Sequence, residues 1–588
     1  MSDYSSNFPQ QRPSLNLDFA NSGKLDSRIS YSRSSTATAF SSERHLSSEN
    51  FLKYSNDLSN ADWNKARVTV GSTDNTAPDG SSTASSVLET AVTDTHTFYD
   101  HYTSVAGVSY THTVFAKANG RTAFTLYTRD ANATFDLTAV TATTTGMDAV
   151  SITAIGSTGW FKCVATEAAT NTLGLVQIEL MDGSATNYAG DVTKGMYFWG
   201  MQASSTGETV LNQTSGSIHR EFAPTLKTAA ANEPRFEYAA DGQSVAKGLL
   251  IEAQKSNLAL NSNDFTNATW NKQRVTVTPS ASIGPDGQLS ASLIAENTDT
   301  TTIHFMLPTA AITSGYSVGT DKSTHSVFAK YAGRNLRMTD GYNPADGGST
   351  IFDLQNGTVV SGGGSIQSCG NGWYRCSVTM TMSASTLLLP YIQLVDGTTW
   401  PNASDAGDGY SGILLFGLQT EQQSMSSYIT TGSSAVTKSA DSCSLVSAPL
   451  LDNGSGGLTV EYDMRNASST SYVLQTARST GATNNDGVTI FNEGLFVNGA
   501  GSNTRIGNTT SNVFHKVAAS WESGSQKISR DGSAVTEDTT TVVPQSGTDK
   551  LHIGTRQDGN TSINGHIRNI AIYSEPLTPT NLTTLSQL

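Results

Sequence analysis

Three aromatic residues of this sequence stand where a ring could meet a ligand. Trp400 lies in the polar stretch DGTTWPNASDAGDGY, and Tyr342 lies in TDGYNPADGG. Tyr102 closes the run HTFYDHY, in which strand alternation places four side chains on one face: His96, Phe98, Asp100 and Tyr102. An exposed ring can stack on the apolar face of a sugar, while amides and carboxylates form hydrogen bonds around it. These three aromatic residues are therefore candidate sugar contacts.

Four polar residues form a second set of candidates, in two loops of the last third of the chain. The loop NNDG contains Asn485 and Asp486, and the loop RQDGN contains Arg556 and Asp558. Such groups form the hydrogen bonds at the rim of a sugar site. The same residue types are common in ordinary turns, which is the alternative interpretation. Oxygen-rich loops could also hold Ca²⁺, but no complete liganding motif occurs, so metal binding is left unknown.

No pattern in the sequence predicts catalysis. Cleavage of a glycosidic bond needs two carboxyl groups at a set separation, which a sequence cannot place in three dimensions. The carboxylates weighed for this role are loop residues with turn-forming neighbours: Asp405, Asp408 and Glu421. No glycine-rich phosphate loop precedes a helix, and no Cys/His spacing fits a metal site. We therefore expect a protein that is not an enzyme, with no catalytic residues and no cofactor apart from the open case of Ca²⁺.

The elements that must position these residues come in two copies. Residues 50–80 recur without a gap at residues 257–287. Shorter matches continue the repeat: 113–117 with 326–330, 159–163 with 372–376, and 200–202 with 417–419. The offset between the copies drifts upward along the chain, as expected when insertions fall in surface turns. The repeat predicts two modules, at 49–223 and 256–440, each long enough for its own core.

Residues that both copies share are predicted to pack rather than bind. They include two pairs of tryptophans and one pair of cysteines: Trp63 and Trp270, Trp160 and Trp373, Cys163 and Cys376. The run HTFYDHY corresponds to IHFMLPT in the second copy, an alignment that keeps only Phe98, as Phe305. Binding residues are expected where the copies differ.

Composition favours β-structure along the whole chain. Only 14% of residues are charged, Gly occurs 52 times, and short apolar or alternating runs end at Gly, Asp and Asn. Residues 441–588 have the same strand rhythm without belonging to the repeat. We predict an all-β fold of three β-sandwich (jelly-roll) domains in tandem with an extended N-terminal arm. The predicted segments are an arm at 1–48, modules at 49–223 and 256–440, a linker at 224–255, and a third sandwich at 441–588.

Charge and hydropathy argue against nucleic acid and membranes as partners. The net charge is −15 without a Lys/Arg cluster, which argues against nucleic acid, because phosphates need a basic patch. No apolar run approaches the length of a membrane span, so no membrane insertion is expected. The N-terminus lacks the basic and apolar regions of a signal peptide, which predicts synthesis in a cytoplasm.

Two strings of the sequence resemble a known family. SLNLDFANSGKLDSRISYSRSSTAT (14–38) and residues 226–265 resemble the N-terminal portion of bacteriophage tail fibre and related virion proteins. In that family the two strings lie close together, whereas here the first module stands between them. The chain is therefore similar to a family member with an extra sandwich inserted between about residue 48 and residue 223. Residues 416–445 resemble the closing strand and exit of carbohydrate-binding-like jelly rolls in such proteins.

The last region resembles the laminin-G/concanavalin A-like lectin superfamily. Residues 515–521 (HKVAASW) match its central strand, and Arg530-Asp531-Gly532 match a hairpin turn. Residues 563–573, followed by Pro576-Leu577, match its final strand and exit.

These resemblances imply a phage virion fibre or spike protein, located in the virion after synthesis in the host cytoplasm. They imply attachment to other virion proteins through residues 1–48, a homotrimer, and binding of host cell-surface polysaccharide by the sandwiches. One alternative is a purely structural capsid-decoration or tail-adaptor protein. A second is a polysaccharide-degrading tailspike.

Overall fold

A computed structural model gives the structure of the 588-residue chain. It describes residues 11–71, 75–240, 245–299, 303–343, 349–399, 406–446, 454–465, 471–477, 487–492, 494–497, 503–507, 509–539, 548–557, 559 and 561–588. Strands make up 54% of the structure and helices 2%, so the predicted all-β class is confirmed.

The chain begins with short elements, followed by the first module. The opening elements are β1 (Leu15–Asp18), α1 (Phe19–Ser22), β2 (Ile29–Ser32) and β3 (Ala37–Asn50). The strands of the first module are β4 (Asn64–Ala66), β5 (Val68–Val70), β6 (Ser85–Glu89), β7 (Thr93–Asp94), β8 (Thr97–Thr103), β9 (Ser109–Asn119), β10 (Ala123–Tyr127), β11 (Asn132–Asp136), β12 (Thr141–Thr145), β13 (Ala149–Ala154), β14 (Trp160–Ala168), β15 (Leu173–Met181), β16 (Tyr188–Ala189) and β17 (Gly195–Ser204).

Two six-stranded antiparallel sheets form the first module, in the orders β12-β11-β10-β15-β8-β4 and β13-β14-β9-β17-β6-β5. Alternation along each strand turns one set of side chains inward. In β15, for example, Val176, Ile178 and Leu180 are buried in the core. Apolar side chains of both sheets thus form one core between them.

Four strands lead to the second module: β18 (His219–Ala229), β19 (Phe236–Tyr238), β20 (Ala246–Ile251) and β21 (Lys255–Asn257). The second module contains β22 (Trp270–Gln273), β23 (Val275–Ser282), β24 (Ala291–Glu296), β25 (Phe305–Pro308), β26 (Ile312–Thr313), β27 (Lys322–Ala332), β28 (Asn335–Asp340), β29 (Ser349–Asp353), β30 (Thr358–Ser361), β31 (Ser365–Ser368), β32 (Trp373–Thr381), β33 (Leu387–Leu388), β34 (Pro390–Val395) and β35 (Gly412–Gln422).

The second module repeats the strand order of the first. Its sheets run β22-β25-β34-β28-β29-β30 and β23-β24-β35-β27-β32-β31, which match the first module strand for strand. The shared tryptophans and cysteines are buried in both copies, as the sequence predicted.

One detail of the predicted alignment between the copies is wrong. Lys65 pairs with Phe98, and its equivalent Lys272 pairs with Met306, so Met306 and not Phe305 takes the place of Phe98. His304 then corresponds to His96. Both histidine carbonyls accept an equivalent backbone bond, from Leu394 and Leu180 respectively. The two copies are offset by one additional residue here, which letter matching cannot detect.

The remaining elements follow the second module: β36 (Val436–Lys438), β37 (Ser442–Val446), β38 (Gly456–Tyr462), β39 (Tyr472–Ala477), β40 (Val488–Phe491), β41 (Gly494–Val497), β42 (Asn503–Arg505), β43 (His515–Glu522), β44 (Ser525–Arg530), β45 (Thr536–Asp538), β46 (Lys550–Ile553), β47 (Gly565–Tyr573) and α2 (Pro579–Leu585). They build most of a C-terminal sandwich of an eight-stranded and a seven-stranded sheet.

Strands from distant parts of the chain complete this C-terminal sandwich. The path β19-β20-β47-β38-β43-β44-β45, with β1 also paired to β47, forms the eight-stranded sheet. The seven-stranded sheet, β2-β37-β46-β39-β40-β41-β42, takes its first strand from the beginning of the chain. Leu15, Leu17, Leu249 and Ile251 lie in the sandwich core. Parts of the segments predicted as arm and linker, namely β1, β2, β19 and β20, are therefore structural parts of the last sandwich.

A two-stranded ribbon carries the first module. β3 and β18 pair antiparallel from Ala37↔Ala229 to Asn50↔His219, with two irregularities in register. The flanking strings also meet: Nη2 of Arg33 donates to the Ala230 carbonyl at 2.7 Å, and Nη1 of Arg235 donates to the Thr38 carbonyl at 3.0 Å. The first module is thus inserted at the end of a ribbon whose base is closed.

Candidate functional site

Tyr342 is an exposed ring on a fixed turn. The residue lies just after the end of β28, and its side chain is 40% exposed. Oδ1 of Asp340 accepts hydrogen bonds from the backbone N–H groups of Tyr342 and Asn343, at 2.9 and 2.8 Å. The other oxygen, Oδ2, lies 3.1 Å from Nε2 of His325, which is buried. A buried polar pair therefore holds the turn that presents the ring, as a stacking contact requires. Trp400, the other loop aromatic, lies outside the described residues.

Tyr102 is not available to a ligand, in contrast to the prediction. Only 5% of the residue is exposed, and its hydroxyl lies 2.9 Å from Nε2 of His112 inside the module. The ring lies flat on Gly174 of the neighbouring strand, where a Cβ would approach Cζ of Tyr102 to 2.3 Å. Burial lowers the pKa of His112 to about 4, so this pair is neutral at pH 7. Tyr102 is a core residue because Gly174 leaves room for its ring.

Arg556 is the one polar loop candidate within the described residues. Its guanidinium lies 5.6 Å from the ring centroid of Tyr472, within the range of a cation–π contact. The next residue, Gln557, donates its backbone N–H to Oε1 of Gln475 at 2.9 Å. This loop is thus joined to β39 of the seven-stranded sheet. Asn485, Asp486 and Asp558 lie outside the described residues, so their role as sugar contacts stays a prediction.

Of the carboxylates weighed for catalysis, the two that the structure describes, Asp408 and Glu421, do not form a pair in a cleft. Glu421 lies in β35 and is fully buried, not in a loop. Asp408 accepts hydrogen bonds from the backbone of Tyr410 and Ser411. Asp405 falls outside the described residues. Among the residues that the structure describes, no group of three or more His, Cys, Asp or Glu side chains could hold a metal ion, and no helix could span a membrane.

A polar cleft between the two modules is a site that the sequence did not predict. It has a volume of about 560 Å³, within the range of small-ligand sites. The first module contributes Lys162, the chain that follows it contributes Glu208 and His219, and the second module contributes Lys330 and Tyr410. Such a site arises only when two domains pack, so no local sequence signal marks it.

The modules are held together around this cleft by specific contacts. The Glu208 carboxylate accepts a hydrogen bond from the Ser282 hydroxyl, and the Thr209 N–H donates to the Ala281 carbonyl at 3.0 Å. The ring of Tyr410 packs edge-on against Phe115 and Trp199, with centroids 5.4 and 5.5 Å apart. These aromatic residues lie on the outer side of a first-module sheet. The cleft therefore has walls on both sides that are fixed to each other.

A second polar region joins the segment between the modules to the C-terminal sandwich. Glu252 is buried and contacts three cations: Arg235 at 2.8 Å, Lys438 at 3.5 Å and Arg465 at 2.5 Å. Burial disfavours ionisation of Glu252, but the three cations outweigh it and hold its pKa well below 4.5. Because each charged group here has a partner, this region is a structural junction rather than an open site.

Comparison with known proteins identifies the C-terminal region. Residues 423–583 match the model of the concanavalin A-like lectin/glucanases superfamily, so this part of the chain contains a laminin-G/concanavalin A-like lectin domain. No curated protein matches the sequence.

Solved structures with similarity to the chain are distant. One is the CBM40 module of the Ruminococcus gnavus IT-sialidase bound to α2,3-sialyllactose (TM-score 0.20, 16% identity, 24% of this chain and 84% of that chain). The same module described without sialyllactose has a TM-score of 0.20 and 15% identity, and the match covers 23% of this chain and 85% of that chain. The LG1–3 region of the laminin α2 chain has a TM-score of 0.16 and 12% identity, and the match covers 81% of this chain and 96% of that chain. TM-scores this low carry no inference about this chain.

Proposed function

We propose that this protein binds glycans of a host cell surface as a fibre or spike protein of a bacteriophage virion. The observation that carries glycan binding is the match of residues 423–583 to the lectin/glucanase superfamily. Tyr342 adds an exposed ring on a fixed turn in the second module. Weak single sites of this kind gain strength when several act together on one particle.

The virion role is supported by the two strings that resemble phage fibre proteins. Arg33 in the first string and Ala230 in the second are hydrogen-bonded, so the strings form one unit despite the module inserted between them. Strands β1, β2 and β3 are engaged within the protein. Attachment to other virion proteins is proposed through residues 1–48. The proposed assembly is a homotrimer, which light scattering of the purified protein would test.

A glycan array probed with the full-length protein tests the binding proposal. We expect signals from bacterial surface saccharides, and weaker signals from a Tyr342→Ala variant where the second module contributes. Absence of any signal from the full-length oligomer would overturn glycan binding and favour the structural alternative, a capsid-decoration or tail-adaptor protein. Release of reducing ends or unsaturated sugars from a bound polysaccharide would instead identify a degrading tailspike. Electron microscopy of antibody-labelled virions would test the location.

A further inference from the structure

The cleft between the modules contains two ammonium groups whose N–H donors are not used in hydrogen bonds. Lys162 on β14 and Lys330 on β27 both line it. Within the described part of the chain, neither ammonium group forms a hydrogen bond or a close ion pair, although Glu208 acts electrostatically on both and Glu221 acts on Lys330. Each ammonium carries three N–H donors, and placing a charge away from bulk water without a partner costs free energy. Two such groups in one cavity require an explanation.

The other charged groups of the cleft already have partners. Arg334 pairs with Glu296 at 2.9 Å through Nε and lies 3.6 Å from Asp408. One oxygen of Glu208 accepts from Ser282, and the other accepts from Nδ2 of Asn212 at 2.8 Å. Oδ1 of Asp79 accepts from the backbone and hydroxyl of Ser81. Asp396 lies 3.9 Å from Arg334. Among the charged residues that line the cleft in the described part of the chain, Lys162 and Lys330 are the two without a hydrogen bond or a close ion pair.

Comparison of the two copies indicates that this arrangement is specific to the cleft. Arg375 occupies the position of Lys162 in the second module, where its guanidinium lies 5.1 Å from the Phe328 ring centroid and donates to Ser326. Lys117 occupies the position of Lys330 in the first module, beside Trp160 in the strand register, and does not line the cleft. Lys162 and Lys330 thus line one cavity, whereas their counterparts Arg375 and Lys117 do not line it.

We propose that this cleft binds a carboxylated or otherwise oxyanion-bearing saccharide, with Lys162 and Lys330 as its charge-bearing donors. This inference rests on the proposed glycan-binding function and specifies its ligand class and site. The ligand must be rich in acceptors, because the unused groups are donors. Leu211 and Leu293 supply apolar wall area for the carbon faces of a sugar. Asn212 and Gln213 stand at the same cavity and can meet hydroxyl groups.

The test compares acidic and neutral saccharides on the full-length protein. The array carries uronate, sialylated and sulfated oligosaccharides, and the carboxyl-reduced uronate oligomer is the neutral match. It is probed with the wild type and with the variants Lys162→Met, Lys330→Met and Lys117→Met. Methionine keeps the length of the side chain and removes its charge. We expect each cleft variant to weaken acidic signals about tenfold or more, since hydrogen bonds to charged groups are strong. Lys117→Met, the matched control, should bind as wild type does.

Thermal unfolding shows whether a lost binding signal results from unfolding of the variant. Because neither lysine forms a hydrogen bond or a close ion pair, each cleft variant should keep a melting temperature near that of the wild type, so weaker binding by a stable variant indicates lost recognition. Inorganic sulfate is tested alone. If sulfate stabilises the wild type as strongly as the acidic saccharides do, and only through these lysines, the cleft takes free oxyanions and the saccharide assignment is overturned.

The remaining outcomes separate this inference from the general proposal. Acidic signals that persist in both cleft variants would overturn the cleft site and leave glycan binding intact. Signals from neutral saccharides alone would also overturn the cleft site and leave glycan binding intact. An array with no signal at all would overturn both.

Discussion

Arg235 and Asp441 form an ion pair in which both side chains are fully buried. Nη2 of Arg235 lies 2.6 Å from Oδ2 of Asp441, although the residues are 206 positions apart. Arg33 reaches the same carboxylate, with Nη1 3.1 Å from Oδ1. One carboxylate thus joins the first string, the segment between the modules and the strand that enters the C-terminal sandwich.

Asp441→Asn should destabilise the protein strongly. The substitution leaves Arg33 and Arg235 buried with one charge fewer to face, and breaking a buried pair on one side costs about 3–5 kcal/mol. The free energy of unfolding is measured by urea titration followed by tryptophan fluorescence. Asp26→Asn, which breaks an exposed pair with Arg28, is the control and should cost less than about 1 kcal/mol. Equal effects of both substitutions would contradict the junction described above.

Acid should weaken the same junction. The folded pKa of Glu252 lies well below its ordinary 4.5, because the neighbouring cations outweigh burial. Its contribution to stability is therefore present above about pH 4.5 and is lost as the pH falls through the folded pKa. We expect the melting temperature to drop on acidification below pH 4.5. The Glu252→Gln variant should be less stable at pH 7, and its melting temperature should fall less on acidification. If the melting temperatures of both proteins fall in parallel, Glu252 is not the cause of the acid sensitivity.

The isolated segment 441–588 should not fold stably. It lacks β1, β19 and β20 of the eight-stranded sheet and β2 of the seven-stranded sheet. Core residues that pack against these strands would be exposed to water. Circular dichroism and NMR of this fragment are expected to show lost tertiary structure. The full chain without residues 1–13 keeps all four strands and should remain folded. A well-dispersed NMR spectrum of the fragment would contradict the prediction.

Tyr342→Ala should reduce sugar affinity without unfolding the protein, because the ring is exposed and the turn is held by Asp340. Loss of a stacking ring is expected to weaken binding by about 0.5–1.5 kcal/mol. Tyr342→Phe keeps the ring and should retain most of the affinity in calorimetry. Phe222→Ala removes another exposed ring, 48% accessible and located on the ribbon, and serves as the control. Equal losses in all three variants would exclude a specific role of Tyr342.

Binding of an acidic saccharide should weaken at alkaline pH. Burial lowers the pKa of Lys162 to about 8 and that of Lys330 in the same direction, so both ammonium groups are lost earlier than on an exposed lysine. The other ionisable groups of the cleft are Asp79, Glu208, His219, Arg334, Tyr331, Tyr410 and Asp396, and Glu221 also acts on Lys330. We expect the dissociation constant to rise above about pH 8, and to rise less in Lys162→Met. A constant affinity between pH 7 and 10 would contradict lysine recognition.

The sequence predicted what depends on local pattern and on duplication. Alternating runs such as β15 predicted strands, and the repeat predicted two modules that prove to have the same strand order. The shared tryptophans were predicted to pack, and they do. Each of these inferences uses information contained within a few residues or within two aligned copies.

The sequence could not predict contacts that depend on distant partners. The pairing of Leu15 with Ile572 joins opposite ends of the chain, and neither strand carries a signal for the other. Tyr102 was predicted to be exposed because its burial depends on Gly174, a residue 72 positions away in the sequence. The cleft with Lys162 and Lys330 exists only through the packing of two modules. Tertiary placement, not residue type, decides these cases.

The ribbon of β3 and β18 also has an evolutionary consequence. Asn50 and His219 are direct neighbours across it, so the chain leaves for the first module and returns at one point. To the rest of the protein, about 170 residues behave like the loop of a hairpin. A module attached in this way can be exchanged or lost while the ribbon, the second module and the C-terminal sandwich keep their strand pairings. Cleft residues on the second module would then face a new partner, so recombination at a single hairpin could change ligand preference in one step.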